Sequence, residues 1–375
     1  MQTLWQDLRH SARMIFKKPN LQKSNRAHYN MQSPISKRKR IASWGLGLGL
    51  VALGIGCLAR LFVLGQVNSG VREESFDYYQ DGQTGRGRRR ALALDLGDGV
   101  MMEFVLVKAG AFQMGSPPSE KERLVDEEQH TVEITRDFYL GKYEVTRGQF
   151  RAFVTDTGYR TEPETDGQGA WGYDEATGKI EGRKPKYTWK STGFAQTDEH
   201  PVVNVTWNDA DAFCRWLGLR SKKAVRLPTE AEWEYACRAG SATRFYSGDT
   251  PETLAKVGNV ADRTAKKKFP DWQTTIEAED GYVFTAPVGQ FRANRFGLHD
   301  MHGNVWEWCR DWLGPYGNLS AKDPVRDSED KEVRVMRGGS WGKRNPKIGS
   351  AARRFSGAPP SRDMDVGFRV ALRLD

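Results

Sequence analysis

The sequence predicts an α+β fold with few helices and much irregular backbone, in a chain of 375 residues. Three observations carry this prediction. Alternating apolar and polar residues indicate short strands before residue 146, three capped helical patterns follow, and the stretch after Gly240 is rich in Gly, Asn and Asp. The 39 Gly and 12 Trp residues indicate a loop-rich domain whose core is built from large rings.

The strand patterns come first along this part of the chain. Residues 104–116, FVLVKAGAFQMGS, are expected to form a hairpin with its turn at Ala109 and Gly110. Residues 130–146, HTVEITRDFYLGKYEVT, alternate between apolar and polar side chains and predict further strand.

Three helices are predicted from pairs in which a capping side chain precedes an acceptor by three residues. Each pattern ends at a glycine, which readily adopts the left-handed conformation that closes a helix. The predicted pairs are Thr146 with Gln149, Asn208 with Asp211, and Thr229 with Glu232, and the predicted ends are Gly158, Gly218 and Gly240.

The formal net charge of +9 is confined to the N-terminus. Residues 1–40 hold ten Lys or Arg and one acid, Asp7, which leaves 47 basic and 47 acidic side chains in the remaining 335 residues. This balance argues against a nucleic-acid-binding surface spread over the chain, and no nucleic-acid partner is expected. Four cysteines are too few for a disulfide scaffold.

A membrane anchor is predicted at residues 41–65. Residues 41–59 carry no charge, and LFVLG follows Arg60, so the segment is long enough to cross a bilayer. The basic tail, 1–40, predicts a cytoplasmic N-terminus, a single pass through a bacterial-type inner membrane and an extracytoplasmic main domain. The alternatives are a cleaved signal peptide, which would need a 40-residue basic region, and a buried helix that is apolar on every face. The polar stretch 66–96 is interpreted as a linker and 97–375 as the folded domain.

The segments after residue 97 share a characteristic order that includes RLPTEAEWEYA (226–236), GNVWEW (303–308) and RGGSW (337–341). With these motifs the chain resembles the sulfatase-modifying factor, or formylglycine-generating enzyme, family over about residues 97–373. The resemblance implies a fold related to C-type lectins with little regular secondary structure, which agrees with the residue patterns.

The resemblance also bears on activity. Formylglycine-generating members resemble copper-dependent oxidases that use two cysteines, between a GGS and an AAR sequence, to bind copper and oxidise a substrate cysteine. The matching segment here, 338–354, contains no cysteine, because Lys343 stands at the first position and Ile348 lies nearest to the second. Copper is therefore not expected, and no catalytic residue is assigned. The family includes oxidases, so the resemblance leaves enzyme activity undecided.

Calcium is the cofactor that the resemblance implies, because calcium takes many oxygen ligands and the matching positions keep theirs. The first set comprises Asn259, the carbonyl of Val260, Asp280 and the carbonyl of Tyr282; the second comprises Asp300, the carbonyls of Gly303 and Val305, and Glu307. The alternative is that Asp280 only forms a turn with Gly281 and that Glu307 only forms a salt bridge.

Two further groups of residues have competing interpretations. His299 and His302, with Glu307, could suggest a zinc or iron site, but two surface imidazoles on a calcium loop are the favoured interpretation. Cys214, Cys237 and Cys309 lie in apolar-periodic segments and are predicted to be buried, inert thiols.

A substrate groove is expected at Arg337, Ser340, Trp341 and Arg353, which lie where the family would bind its substrate. The sequence therefore predicts a membrane-anchored binding or scaffold domain whose ligand is a protein, a peptide or a glycan. One alternative is a protein-modifying oxidase of the formylglycine-generating type with altered site chemistry. A second is a calcium-dependent carbohydrate-binding protein.

Overall fold

The computed structural model describes residues 69–327, 332–342 and 349–374, and its first two strands lie in the stretch interpreted as a linker. Strand β1 (Ser69–Gln80) and strand β2 (Gln83–Asp95) pair antiparallel along their whole length. The linker prediction is therefore wrong for residues 69–95. Gly85 disguised the strand pattern, but it is required there, because a Cβ at this position would collide with the Tyr78 ring on β1.

The strands form two larger sheets and two short two-stranded ones. Those that follow β2 are β3 (Met101–Val107), β4 (Gly110–Met114), β5 (His130–Ile134), β6 (Phe138–Gly141), β7 (Ala170–Asp174), β8 (Lys179–Lys184), β9 (Ala224–Arg226), β10 (Trp306–Trp312), β11 (Arg334–Arg337), β12 (Phe355–Gly357), β13 (Val366–Gly367) and β14 (Ala371–Arg373). One sheet has the order β1-β2-β3-β6-β14-β9, and the other has the order β12-β11-β10-β13. Strands β4 and β5 pair with each other, as do β7 and β8.

The hairpin predicted for residues 104–116 does not form. Strand β3 pairs with β2 and β6, whereas β4 pairs with β5 in a separate sheet. The backbone leaves the first sheet at Ala109, whose amide donates to the Asp137 carboxylate at 2.8 Å. The turn between β3 and β4 therefore connects two different sheets. Strands from elsewhere in the chain, β2, β6 and β5, pair with β3 and β4 instead.

The helices are short: α1 (Arg147–Thr157), α2 (Glu162–Thr165), α3 (Trp207–Ser221), α4 (Glu230–Arg238) and α5 (Arg263–Lys268), with 3-10 turns at Pro251–Lys256 and Tyr316–Asn318. The capping boxes predicted at Thr146 and Thr229 are confirmed, and α1 closes at Gly158 in the left-handed conformation. The other two predicted ends are wrong, because the helices close at Lys222, four residues after Gly218, and at Ala239, one residue before Gly240.

The second capping pair is also wrong by two residues. Helix α3 begins after Thr206, which exchanges hydrogen bonds with Asp209, so Asn208 and Asp211 lie inside the helix. Asp211 is available for an ion pair with Arg215 one turn later, at 3.0 Å. Both spacings satisfy the capping rule, and the buried position of Asp209 selects the first of them.

The core lies on both faces of the six-stranded sheet. Side chains alternate along β3, so that Phe104 packs with the rings of α1 and α3 while Val105 packs with Trp233 of α4. A third, smaller cluster of rings surrounds Trp341. The mixed architecture with few helices is thus confirmed for the described residues.

No helix in the described ranges is long and apolar enough to cross a bilayer. The predicted tail, 1–40, and the predicted anchor, 41–65, lie outside those ranges.

Candidate functional site

The candidate groove residues lie on and after β11, which pairs with β10 so that Arg337 stands opposite Glu307. Arg337 is fully buried and forms an ion pair with Glu234 of α4. Its guanidinium also donates to the carbonyls of Ala351, Ala352 and Arg353. Arg337 does not face a ligand groove, and this part of the groove prediction is wrong. It holds the 351–353 backbone against α4, because a buried guanidinium needs both a counter-charge and acceptors for its N–H groups.

Ser340 and Trp341 follow at the end of β11 and are both buried. The Ser340 hydroxyl donates to the Asp365 carboxylate at 2.6 Å, which ties β11 to the segment just before β13. The Trp341 ring packs on Phe284 and Phe194, with ring centroids 5.1 and 5.8 Å away. Its indole N–H is buried without a hydrogen-bond partner in the described part of the chain. Trp341 is thus a ring of the third core cluster.

Arg353 is the fourth predicted groove residue and points elsewhere. Its guanidinium forms an ion pair with Glu127 at 3.1 Å, on the loop that connects β4 to β5. The structure therefore brings Ser340 and Trp341 together, places Arg337 behind them, and directs Arg353 to another loop. Lys343 and Ile348, the positions matched to the oxidase cysteines, lie outside the described residues.

A cavity of about 220 Å³ lies beside Asp365. Trp171, Trp308 and Phe355 contribute aromatic surface to it. Phe355 is 42% exposed and stacks on Trp306 with a centroid distance of 5.0 Å. Sequence reasoning missed Trp171 and Phe355, since an isolated ring in a loop or short strand carries no periodic signal. In the structure, the exposed Phe355 ring beside the buried Trp306 ring indicates a candidate binding surface.

The first predicted calcium set lies in one place. The Asp280 carboxylate accepts from the amides of Val260 and Tyr282 at 2.8 and 2.9 Å, and burial raises its pKa to about 7. The Oδ1 atom of Asn259 is buried with no hydrogen-bond partner. Sequence reasoning missed Asp262, a buried acid that caps α5 and accepts from the Asp280 amide at 2.6 Å. Two carboxylates and an unpartnered amide oxygen fit a hard divalent cation.

The second predicted set fits calcium only in part. Burial raises the pKa of Asp300 to about 7, and its Oδ1 atom has no hydrogen-bond partner among the described residues, so this oxygen could serve as a cation ligand. Glu307, however, accepts two bonds of 2.6 Å from Arg369 and one of 2.7 Å from the Trp233 indole. Its carboxylate is fully engaged, as the salt-bridge alternative predicts.

Glu144 completes this second acidic group and was missed from the sequence. Its carboxylate accepts from the Asn304 amide group at 2.7 Å and from the Val305 backbone at 3.1 Å. Burial, with the charges of Asp300 and Glu307 nearby, raises the pKa of Glu144 well above its usual range. The available signal was an acid shortly after the apolar strand β6 and next to Val145.

The two histidines are not on the surface, so the expectation of surface imidazoles is wrong. His302 is buried against Tyr246, accepts from the Tyr246 amide at 3.0 Å through Nε2, and donates from Nδ1 to the Gly349 carbonyl at 2.8 Å. Burial lowers its pKa to about 3, so the ring is neutral at physiological pH. Among the residues the structure describes, no three His, Cys, Asp or Glu side chains are arranged to hold a metal ion by themselves.

Three cysteines, Cys214, Cys237 and Cys309, are buried and free, which confirms their predicted burial. Cys237 lies 3.7 Å from His302 Nε2, but that nitrogen already accepts from Tyr246. The Cys237 thiol instead donates to the Met301 carbonyl at 3.6 Å, and burial raises its pKa. A thiolate–imidazolium pair is therefore disfavoured at this position.

Comparison with known proteins agrees with the fold and the motifs. A family model described as "Sulfatase-modifying factor enzyme 1-like domain" matches residues 98–374. The chain is 36% identical over 299 residues to the formylglycine-generating enzyme of Streptomyces coelicolor, a match that covers 72% of this chain and 89% of that protein. It is 31% identical to "Inactive C-alpha-formylglycine-generating enzyme 2" of Bos taurus, over 74% of this chain and 90% of that one. The solved structure of PvdO from Pseudomonas aeruginosa is 32% identical with a TM-score of 0.58, and the match covers 72% and 94% of the two chains.

Proposed function

The chain belongs to the sulfatase-modifying factor family, and on that premise we propose that residues 97–375 form a binding or scaffold domain without the family's copper-dependent cysteine oxidation. The observation that carries the proposal is the donor set. The segment 338–354 contains no cysteine, although copper(I) needs soft sulfur ligands there. A retained fold with a replaced site follows from this substitution.

The buried thiols support the same conclusion. Cys214, Cys237 and Cys309 are each enclosed in the core, and burial raises the pKa of each thiol. None of the three can supply an accessible thiolate, which is the reactive form. The fourth cysteine, Cys57, belongs to the apolar segment before the domain. Relatives that are 31–36% identical to this chain include a formylglycine-generating enzyme and a protein named inactive. Sequence identity therefore does not decide the activity, and the residues at the site do.

The ligand is proposed to be a protein or peptide segment at the aromatic cavity beside Asp365. Trp171, Trp308 and Phe355 provide flat apolar surface, and Asp365 provides a carboxylate at its edge. Rings with a few fixed polar groups suit an extended peptide. A glycan would use the same rings, so calcium-dependent glycan retention is the second candidate function. A lack of binding on a broad glycan array would count against that second candidate.

Calcium is proposed as the structural cofactor at the first set and, in part, at the second. Asn259, Asp280 and the carbonyls of Val260 and Tyr282 would hold the ion at the first site. The charge of the ion would neutralise two neighbouring carboxylates, Asp262 and Asp280. It would also hold together loops that make few backbone hydrogen bonds with other segments. At the second site, Asp300 and the carbonyls of Gly303 and Val305 would contribute, whereas Glu307 stays bound to Arg369.

Membrane anchoring through residues 41–65 is proposed with the N-terminus in the cytoplasm, because the basic tail precedes the apolar segment. A C-terminal alkaline phosphatase fusion is expected to be active. An inactive fusion, together with an active cytoplasmic reporter at the same position, would reverse the topology.

The test of the central proposal is co-expression of the full chain with a sulfatase-type CxPxR peptide, followed by mass spectrometry of the peptide. The substrate cysteine is expected to stay intact. The Streptomyces coelicolor relative in the same cells is the positive control, because it shows that copper and oxygen suffice. Replacement of the cysteine sulfur by an aldehyde oxygen with this chain would overturn the proposal and favour the oxidase alternative.

A further inference from the structure

The charge of the folded part is balanced overall but unevenly placed. Two adjoining grooves lie at one end of the six-stranded sheet, with volumes of about 300 and 100 Å³. Their walls carry nine basic and four acidic side chains. We call the two grooves together the basic face. Its basic residues are Arg88, Arg89, Arg90, Lys108, Arg136, Arg226, Arg295, Arg310 and Arg373.

The two grooves form one surface because a single ion pair joins them. Lys108 lines the larger groove and Asp137 lines the smaller one, and their side chains are 2.7 Å apart. Leu106 and Phe296 form an apolar floor in the larger groove. The surface therefore offers positive charge at its rim and apolar contact at its base.

Part of this charge has no internal partner. Arg226 and Arg310 form ion pairs with Glu232 and Asp327, at 2.6 and 2.8 Å. Arg89 forms one with Glu74 at 2.5 Å. Within the described ranges, four exposed arginines have no acidic side chain within 4.0 Å: Arg88, Arg136, Arg295 and Arg373. Those arginines can therefore pair with an external anion. The face carries net positive charge because its arginines are not neutralised within the protein.

The larger groove depends on the hairpin of β1 and β2, which precedes the matched family region of 98–374. Arg88 and Arg90 project from β2 opposite Ser75 and Glu73 of β1. The buried Arg89 pairs with Glu74 inside the hairpin and also donates to the Gly297 carbonyl, which ties the hairpin to the domain. The basic hairpin thus lies outside the residues that the family model matches.

The position of the hairpin along the chain favours a membrane as the partner of the basic face. Ser69 begins β1, four residues after the end of the proposed anchor, so the two points are at most about 14 Å apart. Glu73, which pairs with Arg90, is about 13 Å further along the strand. The hairpin part of the basic face is therefore at most roughly 30 Å from the end of the proposed anchor, measured along the chain.

We propose that the basic face docks on the anionic headgroups of the bilayer that holds the anchor. Phosphate oxygens are anions that arginine binds well, so the exposed arginines at the rim would meet the headgroups. The docked face would fix the orientation of the domain over the membrane. This inference goes beyond the ligand-binding proposal, and it relies on the proposed anchor only for the choice of partner.

The test uses the full chain in lipid nanodiscs made either of phosphatidylcholine or of phosphatidylcholine with phosphatidylglycerol. Ser75 faces Arg88 across the hairpin, and S75C in a C57S background provides a single label site, because Cys214, Cys237 and Cys309 are buried. Energy transfer from this label to an acceptor on the lipid headgroups reports the distance of the face from the bilayer. Transfer is expected to be higher in the anionic discs and to fall to the phosphatidylcholine level in 0.5 M salt, because salt screens the attraction.

A charge-reversal variant tests whether these arginines are responsible. R88E, R136E and R295E together are expected to abolish the rise in energy transfer. The matched control reverses three exposed lysines elsewhere, K121E, K179E and K268E, and should keep it. Equal transfer in the two disc compositions, or an undiminished rise in the arginine variant, overturns the proposal.

A separate measurement distinguishes failure of the proposed anchor from failure of the proposed docking of the basic face. If the chain does not co-purify with nanodiscs, the proposed anchor fails, and the chain is then mixed with vesicles of the same two compositions. Each basic residue near an anionic surface contributes about fivefold in affinity, so reversal of three should weaken sedimentation with the anionic vesicles by at least about 100-fold. Absence of sedimentation with anionic vesicles refutes the basic face by itself.

Discussion

Two regions of the candidate site treat their buried charges in opposite ways. Around β11, the buried Arg337 meets Glu234 and three backbone carbonyls, so its N–H groups are largely satisfied. In the loops at 259–300, the Oδ1 atoms of Asn259 and Asp300 are buried without partners. Within the described residues, the first region leaves one guanidinium nitrogen of Arg337 and the Trp341 indole N–H unpartnered, whereas the second leaves carboxylate and amide oxygens unpartnered, and such oxygens are the ligands of a hard cation. The comparison teaches that the first region forms an internal frame around a paired Arg337, while the second keeps acceptor oxygens that suit a cation.

Loss of the buried ion pair is expected to have the largest effect. Arg337→Met removes the counter-charge of Glu234 and the donors to residues 351–353, and should lower the free energy of unfolding by about 3–5 kcal/mol. Denaturant titration measures this. Arg310→Met breaks an exposed ion pair with Asp327 and should lose at most about 1 kcal/mol. Similar losses in the two variants would show that Arg337 does not support the frame.

Removal of calcium is expected to have the next largest effect. At about 100 times its dissociation constant, a ligand bound only by the folded state stabilises it by about 2.7 kcal/mol. For a domain of about 280 residues, EGTA should therefore lower the melting temperature by roughly 4–5 °C. Asn259→Ala should reduce this response, and Asn208→Ala, on α3, should retain it. An unchanged melting temperature in EGTA would contradict the calcium proposal.

The calcium-free protein should also show a distinctive dependence on pH. Burial raises the pKa of Asp280 to about 7 from its ordinary value of 3.8, so the folded state holds a proton that the unfolded state releases. That contribution is complete below about pH 4 and is lost as the pH rises to about 7, with a slope of at most about 1.4 kcal/mol per pH unit. Urea unfolding in EGTA between pH 4 and 7 measures it. Asp280→Asn should flatten the slope, and a stability that rises with pH in both proteins would refute the assignment.

The smallest effect concerns the start of α3. Thr206→Ala removes the hydroxyl that caps the Asp209 amide and should destabilise the fold by about 1 kcal/mol. Asn208→Ala, at the position that the sequence pattern favoured, should lose less, because Asn208 only bonds the Glu162 side chain at 2.9 Å. A larger loss for Asn208→Ala would mean that the helix begins where the sequence predicted.

The sequence was sufficient where the signal is local. The capping boxes at Thr146 and Thr229 and the closing Gly158 depend on neighbouring residues, and all three were predicted from spacing. The cap and the two helix ends that were missed each had a second local solution within four residues, at Thr206, Lys222 and Ala239. Local capping rules do not distinguish these alternative helix ends and caps, and tertiary packing selects one of them.

For the site, the sequence identified positions but not their surroundings. It placed Arg337 and Glu307 in motifs of the family type, yet Arg337 faces the core and Glu307 is held by Arg369, which lies 62 residues away. It could not find Glu144 or Asp262, because each acid becomes significant only when a distant segment brings another carboxylate beside it.

By itself, the sequence determined the family, the absence of the cysteine pair and the separation of a basic tail from a neutral domain, because each is a property of residue identity and order. Only the tertiary structure decided that residues 69–95 form a hairpin, that β3 and β4 belong to different sheets, and that a balanced set of charges gathers into a basic face. The physical reason is that strand pairing, burial and charge partners depend on segments far apart in the chain, and no local pattern specifies which of them will meet.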